Sequence, residues 1–132
     1  MTNSKVLKAI LFISGLIAIG IGATILLTPV SFYAASGISL NGNVSLLNEV
    51  RASGGALLAC GILIMLGAFI SKLTFTAIVM STLLYLSYGF SRFLIMSVDG
   101  MPVEALIQAV ILEFGIGLIC VVAFMKFRAQ DI

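Results

Sequence analysis

The sequence predicts an all-α, polytopic membrane protein: a four-helix transmembrane bundle of up-down topology with both termini cytoplasmic. Three observations carry this expectation. Of 132 residues, 61% are hydrophobic and only 9% charged, against roughly 25% charged in a soluble domain. With a mean hydropathy of +1.27, no water-soluble globule of this size hides so much apolar surface. The apolar residues gather in four runs, about 9–27, 48–70, 74–97 and 102–125, each near the roughly 20 residues a helix needs to cross hydrocarbon. The basic residues between the runs occur at every other connection, and no linker divides the chain, so 1–132 reads as one domain with an outer loop at 28–47.

The first run follows Lys5 and Lys8. It is longer than a signal-peptide core and no small-residue cleavage site follows it, so it is expected to stay attached. The outer loop opens at Pro29, and its Phe32-Tyr33 pair suits the headgroup level of a bilayer. Val30 to Ser36 reads as either a short interfacial helix or a packed loop. Asn41-Gly42-Asn43 is a turn signal, with Ser45 as the expected helix cap before Leu46. Ser71-Lys72-Leu73 joins spans two and three, while Asp99-Gly100 turns the chain toward Pro102, expected as the first residue of the last helix.

Such short connections force neighbouring helices antiparallel. Lys5, Lys8, Lys72, Lys126 and Arg128 then fall on one side, and by the positive-inside rule that side is cytoplasmic. The bacterial inner membrane is the expected location. Ala18 and Gly22 in span one, Ala52, Gly55 and Ala59 in span two, and Ala109 and Gly117 in span four mark where backbones are expected to approach.

Composition also excludes chemistry. The chain has no histidine, so bis-histidine haem and histidine-ligated metals are out. Cys60 and Cys120 stand far apart inside spans and read as structural thiols. Carboxylates are few and unclustered, so neither metal nor cofactor is expected. No Ser-His, Cys-His or phosphate-loop pattern supports an enzyme. The net charge of +2 is spread as topology signals, which leaves no surface for nucleic acid.

Two basic residues oppose the topology. Arg51 and Arg92 lie toward the outer side, Arg92 roughly 7 Å below the end of span three. Ser81, Tyr85, Tyr88 and Arg92 recur at steps of four, three and four, which makes a polar stripe on one helical face. That stripe either hydrogen-bonds to other helices or lines a ligand or ion site. In span four Glu113 lies roughly 16 Å below the outer end. A lone carboxylate at that depth costs at least about 2.5 kcal/mol, so it is expected to be protonated or paired, with Arg92 as partner across roughly 9 Å of depth. Glu49 and Glu104 fit first helical turns, where the dipole favours an acid. Asn48, Arg51, Ala52 and Gly55 share a face, which predicts that Arg51 meets Arg92 over a common outer cavity above Glu113.

The stretches NEVRASGG (48–55) and SRFLIMSVDGMP (91–102), with a glutamate in span four, resemble a group of small four-helix bacterial membrane proteins catalogued as a domain of unknown function. The resemblance rests on Glu49, Arg51, Ala52, Gly54, Gly55, Arg92, Ser97, Asp99, Gly100, Pro102 and Glu113. Ser91 departs from it, standing where glycine is usual. The resemblance implies the fold and these positions and brings no established activity.

The leading functional expectation is binding or transport of an anionic or amphipathic small molecule at Arg51, Arg92 and Glu113, with Tyr85, Tyr88, Glu49 and Asn48 along the same polar seam. The competing one is an accessory subunit whose buried charges fix helix packing. The expected partners are the lipid bilayer, such a ligand, and a homo-oligomer or larger membrane complex.

Overall fold

The computed structural model describes residues 5–40, 42–102 and 104–127. The elements are α1 (Lys5–Leu27), α2 (Pro29–Ala34), α3 (Val44–Phe69), a 3-10 turn (Ser71–Leu73), α4 (Thr74–Asp99) and α5 (Glu104–Phe127). No strand occurs among the described residues. Four helical segments, α1, α3, α4 with its preceding turn, and α5, are long and apolar enough to cross a membrane. This is the make-up of a multi-pass membrane protein. Asn41 of the turn signal and Arg128 of the charge pattern lie outside the described residues.

Helix ends follow local chemistry. Asn43, not Ser45, caps α3: its side chain accepts a hydrogen bond from the Leu46 amide at 3.0 Å. The earlier start leaves Glu49 beyond the first turn, where the dipole no longer reaches it. Pro29 opens α2. That helix closes through Ile38 N–H to Tyr33 O at 2.9 Å, with Gly37 at φ +75 supplying the left-handed residue. Gly100, also at positive φ (+95), ends α4, its N–H donating to Met96 O at 3.1 Å. Pro102 lies in the connection outside α5, whose described residues begin at Glu104.

Two antiparallel pairs form the body. Gly15 of α1 lies against the Met65 backbone of α3, Gly61 against Ala18 and Ile19, and Gly22 against Gly54 and Leu58. Rising numbers on one helix meet falling numbers on the other, and only glycine lets the backbones come this close. In the second pair Gly117 of α5 receives Leu86 of α4, and Gly89 receives the Phe114 ring. Phe75 and Phe124 meet at a tilt of 52°, 5.6 Å between centroids. The α3–α4 hairpin joins the pairs: Gly67 abuts Ala77, and the buried Thr74 hydroxyl donates to Gly67 O at 2.8 Å.

The two ends of the bundle differ. Near the 3-10 turn all four helices close on a dry cluster of Leu7, Leu11, Ile64, Ala77, Ile78 and Cys120. Toward the opposite end, which carries α2 and the α4–α5 connection, they separate around a cavity.

Candidate functional site

The polar stripe of α4 does face the other helices, and the structure divides it. Its inner half is consumed in packing. Ser81 Oγ donates to Ser14 Oγ at 3.1 Å and lies 3.2 Å from Cys120 Sγ, while the Tyr85 hydroxyl donates to the Ser14 carbonyl. Among the described residues no buried side-chain nitrogen or oxygen lacks a partner. The outer half, Tyr88 and Arg92, faces the cavity, and Tyr85 adds to its lining while its hydroxyl is spent on Ser14.

That cavity has a volume of about 300 Å³. Ile17, Ile21 and Ile25 of α1 wall one side, Ala109 and Leu112 of α5 the other, and Phe32 and Tyr33 of α2 cover it. Ala18 and Ala109 are among the small side chains of its lining. The Phe32 and Tyr33 rings meet edge to face at 5.2 Å. Burial raises the pKa of the Tyr33 phenol; the nearby Tyr88 hydroxyl adds to this and the Arg92 charge opposes it.

At the polar end Arg92 Nε donates to Glu113 Oε1 at 2.7 Å, with the two side chains 33% and 11% exposed. The Arg92 guanidinium carbon also lies 5.6 Å from the Tyr88 ring centroid, within cation–π range. The terminal amino groups of Arg92 have no partner among the described residues. The depth gap between Arg92 and Glu113 is smaller than the sequence suggests. Because α4 runs on to Asp99 and the described part of α5 starts at Glu104, the two positions differ by about 3 Å instead of roughly 9 Å.

The other expected contributors lie elsewhere. Asn48, Glu49 and Arg51 are exposed on α3, and the cavity takes Ser53 and Leu57 from that helix instead. Arg51 therefore does not converge with Arg92. The reason is helix rotation: α3 turns Gly54 and Gly61 to α1, about 200° around from Ala52. Ala52 and Ala59 are exposed as a result, whereas Ala18, Gly22 and Gly117 pack as expected. Asp99, Gly100 and Pro102 border a second cleft beside Arg92. Sequence reasoning missed Ser14 and Tyr33. The available signal for Ser14 was a hydroxyl inside the first apolar run, which holds one other, Thr24; nothing local marked Tyr33 as a cavity residue. Cys120 is buried and Cys60 half-buried, both as free thiols. Among the described residues no three of His, Cys, Asp and Glu gather as a metal site would require.

Fold and site together define a small multi-pass membrane bundle with a charged pair at the edge of a mostly apolar cavity. The chain belongs to the family described as Domain of unknown function (DUF4345), whose model matches residues 6–124. That match reaches into all four long helices. No curated protein and no solved structure matches it.

Proposed function

We propose that this protein binds an amphipathic small molecule within the membrane, its apolar part in the cavity and its polar or anionic head at Arg92. The observation that carries the reading is the cavity itself: apolar walls from α1 and α5 ending at Arg92, Glu113, Tyr88 and Tyr33. Ligand sites commonly combine an apolar lining with a few convergent polar groups. Arg92 spends only its Nε on Glu113, and terminal guanidinium nitrogens are well suited to a carboxylate or phosphate.

Orientation follows from charge. Lys5, Lys8, Lys72 and Lys126 cluster at the end opposite the cavity, which by the positive-inside rule supports cytoplasmic termini and a cavity toward the outer leaflet. In a bacterium this is the periplasmic side of the inner membrane. The dry cluster beneath the cavity favours binding over transport within one copy.

The test is native mass spectrometry of the detergent-purified protein beside Arg92→Gln and Glu113→Gln. A co-purified lipid or metabolite that disappears in folded variants supports the site and identifies its chemical class. Folded samples with no adduct anywhere refute it. A second reading rests on the 2.7 Å Arg92–Glu113 pair: buried charges of this kind can fix helix register in an accessory subunit. Variants that unfold while the wild type carries no ligand favour that reading.

A further inference from the structure

The α3 face turned away from the fold is built like a helix-packing surface. Asn48, Ala52, Ala56 and Ala59 are exposed there, with Gly55 half-buried at the margin. At 3.6 residues per turn these five positions fall within about 100° of arc. Ala52 and Ala56 form the small-xxx-small spacing that lets membrane helices approach closely.

Two charges flank the arc. Glu49 lies on one side of its midline and Arg51 on the other, each by roughly 70–90°. Both are exposed, and neither has an ion-pair partner among the described residues. They cannot neutralise each other within one helix, because residues two apart do not face each other. From the start of α3 at Val44 they sit about 7 and 10 Å along the axis, near the end of the span, where long side chains reach the interface or a neighbouring helix.

We propose that this face docks a second copy of the same chain, forming a parallel two-fold dimer through α3. Two copies inserted with the same orientation are related by an axis normal to the membrane. Rotation about an axis along the alanine stripe carries the Glu49 flank of one copy alongside the Arg51 flank of the other, twice over. The two positions differ by about 3 Å in depth, which long side chains span easily. The arrangement follows the logic of coiled coils, where small or apolar seam positions set the approach and flanking charges choose the partner. It explains why an acid and an arginine stand two residues apart on the lipid-facing side of a membrane helix. It does not depend on the cavity holding a ligand.

The experiment compares the wild type, Glu49→Arg, Arg51→Glu, the double exchange and Ala56→Leu in lipid nanodiscs and mild detergent, reading oligomer mass and helical content. The expected result is a dimeric wild type, loss of the dimer in each single charge variant, and its return in the double exchange. Ala56→Leu keeps both charges and changes only the exposed stripe. It decides the question should a charge variant fail to insert, and it is expected to be a folded monomer. A monomeric wild type overturns the proposal. So do folded single charge variants, or a folded Ala56→Leu, that remain dimeric.

Discussion

Replacing Gly22 with alanine tests whether the α1–α3 seam is as tight as the backbone places it. A Cβ at that position would meet Leu58 N at 2.5 Å, Gly54 O at 2.7 Å and Leu58 Cα at 2.9 Å. All three are backbone atoms, so no side-chain rotation relieves the clash and the helices must part by roughly 0.5–1 Å. A gap of that size forfeits a quarter to a half of each contact's dispersion energy. The loss extends to the neighbouring close contacts at Gly15, Gly54 and Gly61. Overpacking of this kind costs about 1–3 kcal/mol. Against it stands the better helix propensity of alanine, about 1 kcal/mol. Gly20→Ala is the internal control, since nothing lies within 4 Å of a Cβ there and only the propensity gain applies. Subtracting one variant from the other cancels propensity and leaves packing. Unfolding in mixed micelles of rising SDS content, followed by circular dichroism, should show Gly22→Ala less stable than Gly20→Ala by about 1–3 kcal/mol. Equal stability of the two variants would refute the packing argument.

Three further outcomes follow from the same contacts. A double-mutant cycle on Arg92→Met and Glu113→Leu should give a coupling free energy of about 1–2 kcal/mol, below the full value of a buried pair because Arg92 is a third exposed. The same SDS unfolding assay reads it, and a coupling of zero removes the ion pair from the account of the fold. Tyr85→Phe should cost about 0.5–1.5 kcal/mol by removing the interhelical hydrogen bond to the Ser14 carbonyl, while any co-purified ligand is retained; loss of ligand would give the Tyr85 hydroxyl a part in binding beyond the packing seam. Ala109→Phe, at the half-buried cavity wall, should abolish ligand retention in native mass spectra with unchanged helical content. Retention at wild-type levels would move the ligand out of this cavity.

The fold was largely legible because hydropathy adds up along the chain while bilayer thickness is fixed. Four runs near the spanning length could become little else, and the helices follow them closely. Boundaries slipped where two capping signals stood close together. Asn43 and Ser45 both suit a cap, and the side chain that takes the Leu46 amide is that of Asn43. The Arg92–Glu113 pair was legible as a need of each buried charge for the other. Its easy geometry was not, because it depends on where α4 ends and α5 begins.

The face of α3 was misread for a related reason. Small residues occupy two of its faces: Ala52, Gly55 and Ala59 on one, Gly54 and Gly61 on the other. Single-helix reasoning cannot choose between them. The choice is made by α1, whose Gly15 and Gly22 repeat the seven-residue spacing of Gly54 and Gly61, so that both helices present gaps at matching heights. The same rotation sent Arg51 outward and brought Ser53 and Leu57 to the cavity.

The sequence by itself determined that this chain has the four long apolar helices of a multi-pass membrane protein, which residues cannot be lipid-facing without a partner, and the charge bias on which the proposed orientation rests. Those properties depend on one residue type and its depth, and depth is read along a single helix. Tertiary structure alone decided that α2 covers the cavity, that the α4 stripe splits into a satisfied inner half and an open outer half, and which side of α3 is left bare. Each of these depends on rotation about a helix axis, and rotation is fixed only by the surface of the neighbouring helix.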